Sequence, residues 1–199
     1  EKSYSEAVVA HQNAIRINPD YVNAYSGLGL TFSEMKRFPE ALEIYKQALE
    51  IDPEFALAYY NLGVTYGELN QFKNAIPPLK KAIRLNPNFS NAYYQLGVSY
   101  IKLGLFDKAM EPLQKSAKAD PNNALTQFGL GRVYTKQKNY SKAIQLLKRS
   151  VHLDPGFAPA AFLLGDNYVK TGNYILAAKP LETAVRLEPS NAATHNSLG

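Results

Sequence analysis

Apolar side chains fall along this chain in short blocks with helical spacing, and polar pairs separate the blocks. Tyr59, Leu62, Tyr66 and Leu69 share one face of a first block, and Ala75, Ile76, Leu79, Ala82 and Ile83 share one face of the next. Spacings of three and four residues predict amphipathic helices, not the alternation of a strand. The pair of blocks then recurs. Leu28-Gly29, Leu62-Gly63, Leu96-Gly97, Leu130-Gly131, Leu164-Gly165 and Leu198-Gly199 stand 34 residues apart, and so do Pro19, Pro53, Pro87, Pro121, Pro155 and Pro189. Two helices per unit follow, with proline closing each unit.

Within a unit the blocks part at Lys36-Arg37, Asn70-Gln71, Gly104-Leu105, Lys138-Asn139 and Gly172-Asn173. Glycine or asparagine suits the left-handed residue that ends many helices, whereas Lys36 and Lys138 suit it less. A glycine inside a helix costs about 1 kcal/mol relative to alanine, so the repeated Leu-Gly pair implies a close helix approach. Small Ala41, Ala75, Ala109, Ala143 and Ala177 are expected to face it from the second helix. Phe38, Phe72, Phe106, Tyr140 and Tyr174 begin the second helices and are expected to wedge between successive units as core. Pro78, Pro112 and Pro180 fall beyond the first turn of those helices, where each removes a backbone hydrogen bond and predicts a small bend.

A 34-residue unit carrying Tyr25, Leu28, Gly29, Phe32, Ala41, Tyr45, Ala48 and Pro53, then Tyr59, Leu62, Gly63, Tyr66, Ala75, Leu79, Ala82 and Pro87, resembles the tetratricopeptide repeat. Gln127 and Ala161, where an aromatic is usual, and Ser116 and Ser150, where alanine is usual, are mild departures. The resemblance implies an all-α fold: a right-handed superhelical α-solenoid of antiparallel helix-turn-helix repeats. It divides a single array over residues 1–199 into the second helix of a truncated repeat at 1–21, full repeats at 22–55, 56–89, 90–123, 124–157 and 158–191, and the start of another at 192–199.

In that family the first helices form a concave wall that usually receives a ligand. Carried onto this sequence, the wall consists of columns: Asn23, Leu57, Asn91 and Leu125; Tyr60, Tyr94, Phe128 and Phe162; Asn61 and Gln95; Leu30, Val64, Val98, Arg132 and Asp166. Two more columns are Ser33, Gly67, Ile101, Thr135 and Val169, then Glu34, Glu68, Lys102, Lys136 and Lys170. Leu30, Val64 and Val98 replace asparagines common in the family, and Ser33, Gly67 and Thr135 replace tyrosines, so the expected groove has an apolar and roomy floor. Contiguous apolar surface marks interaction sites. The last column runs from acidic to basic, which can orient a ligand by its charge. The family's chaperone-binding branch clamps a C-terminal carboxylate with lysines, arginine and asparagines. Its places hold Ser26, Leu30, Asn61, Asn91 and Gln95 here, or one unit later Tyr60, Val64, Gln95, Leu125 and Gly129, so no carboxylate-clamp chaperone tail is expected.

Composition narrows the chemistry. The 199 residues are 46% hydrophobic and 20% charged, as in an ordered chain, and contain no cysteine for disulfides or thiolate chemistry. The net charge of +5 is uneven: residues 1 to 100 hold 9 Lys+Arg against 10 Asp+Glu, and residues 101 to 199 hold 13 against 7. The lysines are scattered over helices with no dense basic stripe, so no nucleic acid is expected as partner. No apolar run is long enough for a membrane span. His11, His152 and His195 lie far apart, and Gly27-Leu28-Gly29 and Gly129-Leu130-Gly131 sit inside helices without a preceding strand, so no metal, cofactor or catalytic site is expected.

The chain therefore reads as a non-catalytic interaction scaffold that binds a peptide or protein segment in the groove, cytoplasmic by default. The alternative is a substrate-docking or self-assembly arm of a larger polypeptide, such as a glycosyltransferase. Ends without polar caps add an expectation of self-association through Ala7, Ala14 and the Leu198 region.

Overall fold

The computed structural model describes residues 2–189. All regular structure among them is helical: α1 (Lys2–Ile17), α2 (Val22–Glu34), α3 (Phe38–Ile51), α4 (Ala56–Glu68), α5 (Phe72–Leu85), α6 (Ser90–Lys102), α7 (Phe106–Ala119), α8 (Ala124–Lys136), α9 (Tyr140–Leu153), α10 (Ala158–Lys170) and α11 (Tyr174–Leu187). His195, the Leu198-Gly199 pair and the repeat opening at 192 lie outside the described residues.

The chain divides into two compact units, Glu1–Leu103 and Gly104–Gly199. In the first, α2 packs on α3 and α4 on α5 as hairpins, α1 lies against α2, α3 against α4 and α5 against α6. In the second, the hairpins are α8 with α9 and α10 with α11, while α7 lies against α8 and α9 against α10.

Two kinds of turn set this arrangement. Inside a hairpin, one residue turns left-handed: Lys36 at φ 59°, Asn70 at 57°, Lys138 at 58°, and Gly104 and Gly172 at 74°. The Arg37 N–H then donates to the Phe32 carbonyl at 2.8 Å and the Lys36 N–H to Ser33 at 2.9 Å, satisfying carbonyls that the end of α2 would otherwise leave open. Between hairpins, an Asp or Asn before the proline accepts the N–H two residues on. Glu54 donates to Asp52 Oδ1 at 2.9 Å, Asn88 to Asn86 Oδ1 at 3.1 Å and Gly156 to Asp154 Oδ1 at 3.0 Å. The proline cannot continue a helix and the side chain in front of it closes the turn.

The Leu-Gly glycines do mark close approaches: the Ala75 and Ala177 carbonyls would lie 3.3 Å from a Cβ on Gly63 and Gly165, as expected of the alanines, and a large side chain comes closer still. A Cβ on Gly29 would lie 2.5 Å from Tyr45 Cε1, on Gly63 2.5 Å from Leu79 Cγ, on Gly131 2.7 Å from Leu147 Cγ, and on Gly165 2.5 Å from Leu181 Cγ. Each glycine is a recess for the large side chain one turn beyond the alanine. Leu113, at the matching position of α7, meets the following repeat, its Cδ2 3.0 Å from a Cβ on Gly129. Leu79, Leu113 and Leu147 are fully buried as a result, and burying a leucine stabilises by about 1.5–3 kcal/mol. Ala41, Ala75, Ala109 and Ala143 are also fully buried.

The departures from the repeat pattern are accommodated by hydrogen bonds. Ser116 Oγ lies 3.0 Å from Thr126 Oγ1, and Ser150 Oγ donates to the Ala124 carbonyl at 2.8 Å. Buried Gln127 donates from Nε2 to the Pro121 carbonyl at 3.1 Å. Pro78 and Pro112 are buried within α5 and α7, and those helices run on through them. The aromatics at the start of the second helices are not closed core. Phe38, Phe72, Phe106 and Tyr140 are half-buried and Tyr174 is exposed. In α11 the next two residues, Ile175 and Leu176, are exposed as well, where other second helices carry Lys73 and Asn74 or Asp107 and Lys108.

Candidate functional site

The residues expected to meet a ligand all fall on first helices: Leu30 on α2, Leu57 to Val64 on α4, Asn91 to Lys102 on α6, Phe128 to Lys136 on α8, and Phe162 to Lys170 on α10. Their environments differ. Leu30 and Leu57 are exposed apolar side chains, at 47% and 41%. Asn91 is exposed too, whereas Tyr94 is half-buried. Tyr60 stacks at a tilt on Phe89, ring centroids 4.7 Å apart, and burial raises the pKa of its phenol. Asn61 is not free for a ligand. It is buried and donates from Nδ2 to Ser26 Oγ at 3.2 Å, joining α4 to α2.

In the first unit a depression of about 380 Å³ opens between α4 and α6. Val64, Gly67 and Glu68 line one side, Gln95, Val98 and Lys102 the other, and Phe72 with Asn70 one end. Lys102 Nζ lies 6.0 Å from the Phe72 ring centroid, within cation–π reach. Gly67 has no side chain to fill the space and no atom within 4 Å of where its Cβ would be. Buried Tyr45 of α3 reaches Thr65 of α4, and desolvation pushes its hydroxyl pKa well up.

In the second unit the corresponding place between α8 and α10 holds a depression of about 390 Å³, lined by Phe106, Arg132, Thr135, Lys136, Lys138, Tyr140, Leu163 and Lys170. Lys136 Nζ lies 5.6 Å from the Phe106 centroid, and Lys170 Nζ pairs with Asp166 Oδ2 at 2.5 Å. Thr135 is tied down, donating to the Gly131 carbonyl at 2.9 Å, with its hydroxyl 3.0 Å from Asn167 Oδ1. A smaller depression of about 240 Å³ shares Arg132 and Leu163 with this one and adds Phe128, Pro159, Phe162 and Ala184. Phe128 meets Phe157 edge to face at 4.9 Å, with the Arg132 guanidinium 5.7 Å from its centroid.

Both units thus bring predicted residues of adjacent first helices together, and both add side chains that the columns omit. Phe72, Phe106 and Tyr140 begin second helices, Lys138 occupies the left-handed turn, and Leu163 shares the column of Asn61 and Gln95. The available signal was register: these positions repeat every 34 residues beside the wall columns. Among the described residues no group of three or more His, Asp or Glu side chains could hold a metal ion, and no helix is long and apolar enough to cross a membrane.

Sequence families match along the chain. The family described as TPR repeat matches residues 1–36 and 32–70, that described as tetratricopeptide repeat matches 134–198, and that described as anaphase-promoting complex, cyclosome, subunit 3 matches 68–150. No curated protein matches. Among solved structures, YrrB, a TPR protein with an unusual peptide-binding site, is similar with 26% identity and TM-score 0.78 over 96% of this chain and 98% of its own. MamA is similar with 27% identity and TM-score 0.73, over 86% of this chain and 93% of that one. PilF of Pseudomonas aeruginosa shares the fold, with TM-score 0.89 at 21% identity over 98% of this chain and 89% of that one.

Proposed function

We propose, from the premise that the chain belongs to the tetratricopeptide-repeat family, that it is a non-catalytic scaffold whose first helices hold a peptide segment of another protein. The observation that carries this reading is the depression between α4 and α6. Val64, Val98 and Phe72 line it together with Glu68, Asn70, Gln95, Ser99 and Lys102, and Gly67 adds no side chain to fill it. A recess that offers apolar and hydrogen-bonding groups side by side suits alternate side chains of an extended segment, or one face of a helix. Exposed Leu30 and Leu57 extend apolar surface along the same set of helices. The peptide-binding site described for YrrB supports the same class of ligand.

Selection of a displayed library of random 12-residue peptides on the whole chain tests the reading. Enriched peptides should lose at least about tenfold in affinity for the Val64→Lys, Val98→Lys variant, since two ammonium groups would replace the apolar contacts of Val64 and Val98 beside Lys102. Circular dichroism and the melting midpoint establish that the variant is folded. The reading fails if no peptide is enriched; enriched peptides that bind the folded variant as tightly as the parent would remove the α4–α6 depression from the binding surface.

A further inference from the structure

The depressions of the two units occupy equivalent positions 68 residues apart, and their linings differ in a single direction. Where the first has Val64, Glu68 and Asn70, the second has Arg132, Lys136 and Lys138; Phe72 and Lys102 find close counterparts in Tyr140 and Lys170. Thus Glu68 and Lys102 balance in the first lining, whereas the second has four cations and no carboxylate. Asp166 answers Lys170 from outside the lining. Arg132 and Lys136 lie beside the Phe128 and Phe106 rings, 5.7 and 5.6 Å from the centroids, so their charges stand next to an aromatic surface. Like charges held around one recess repel, and an anion that enters relieves the repulsion.

The adjoining smaller depression identifies the kind of anion. It shares Arg132 and Leu163 with the basic recess, but its remaining wall is Phe128, Pro159, Phe162 and Ala184, with Glu188 at its edge. A bare phosphate would use only the basic recess, whereas the Phe128, Pro159 and Phe162 wall rewards an anion that carries apolar groups beside its charge. A segment with acidic side chains next to apolar ones fills both recesses.

We propose that the α8–α10 face of the second unit is a selective site for an acidic–apolar peptide segment: carboxylates at Arg132, Lys136 and Lys138, and a neighbouring aliphatic or aromatic side chain against Phe128, Phe162 and Leu163. This rests on the peptide-scaffold reading and adds the chemical class of the ligand.

The test uses fluorescence anisotropy on the whole chain with two pools of labelled 12-residue peptides. Both have randomised apolar positions; one has a central Asp-Glu pair and the other Asn-Gln. The acidic pool should bind at least about tenfold more tightly, with affinity falling as salt is raised, and Lys136→Glu with Lys138→Glu should abolish that preference. The milder Lys136→Gln, Lys138→Gln pair serves should charge reversal disturb folding. Equal binding of both pools, unchanged in either variant, overturns the inference and leaves the peptide-scaffold reading intact. Binding of neither pool overturns both. A 12-nucleotide single-stranded RNA or phosphatidylserine vesicles that bind more tightly than the acidic pool, and lose binding in the same variants, would reassign the recess to a polyanion and overturn the peptide assignment.

Discussion

The recess around Val64 and Phe72 and the recess around Arg132 and Tyr140 rest on the same scaffold, yet the first is balanced in charge and the second is cationic. Beneath both, a Leu-Gly glycine receives a leucine of the second helix: Gly63 receives Leu79, and Gly131 receives Leu147. Buried Ala75 and Ala143 stand at matching positions behind them. At the surface the likeness ends, with Val64 and Glu68 answered by Arg132 and Lys136. Packing positions sit in a dense interior where one methylene is felt, while recess positions face solvent and change charge at little cost to stability. A repeat array can therefore vary its ligand unit by unit on an unaltered frame.

The largest effects should come from striking the shared frame. Leu79→Ala and Leu147→Ala are each expected to destabilise by about 2–5 kcal/mol, through lost burial and the cavity left behind. Because both leucines are fully buried against glycine, both losses should fall in that range. Urea unfolding of both variants measures this. If one substitution were harmless, the two recesses would not rest on equivalent supports.

A smaller effect should follow from exchanging chemistry without touching the frame. Glu68→Lys with Asn70→Lys gives the first recess three of the second's four cations, all but the counterpart of Arg132, and should create a second acidic-peptide site. Titration calorimetry should then show the stoichiometry rising from one to two, with a gain of at least about tenfold, or 1.4 kcal/mol, at the new site. Unchanged stoichiometry would mean that Arg132, or the apolar recess beside it, supplies what the lysines alone do not.

These contrasts separate what the amino-acid sequence makes legible from what needs the folded chain. Helix spacing, the Leu-Gly pairs and the prolines are local signals repeated every 34 residues, so the hairpins and their turns could be read directly. Columns of first-helix residues could be read as well, including the passage from Glu68 to Lys136. The recesses could not, because each joins a first helix to the turn after it, to the start of a second helix and to the next first helix. Phe72 and Phe106 look like core by composition, yet they stay half-buried with a lysine over each ring. Asn61 looks like a groove residue by register, yet Ser26 on the neighbouring helix claims it. The alanines read as facing the glycines do lie there at Gly63 and Gly165, but the closer contact, with the large side chain one turn further along, joins two helices and was not legible in the pattern of small residues.

The smallest expected difference lies in the turns at the ends of the two recesses, where Asn70 and Lys138 have nearly the same left-handed backbone, φ 57° and 58°. Asparagine tolerates that region because its short polar side chain can bond locally, whereas a lysine Cβ crowds the following carbonyl, at a cost on the order of 1 kcal/mol. Replacing either by glycine removes the crowding but increases the freedom lost on folding. Lys138→Gly should therefore stabilise by about 0.5 kcal/mol, while Asn70→Gly should be neutral or slightly destabilising. Lys138→Gly should also weaken the acidic peptide, because the residue that strains the turn is one of the cations around the recess. Greater stability with weaker binding in the same variant would show that Lys138 is retained at a cost to the fold for its charge; greater stability with unchanged binding would remove Lys138 from the site.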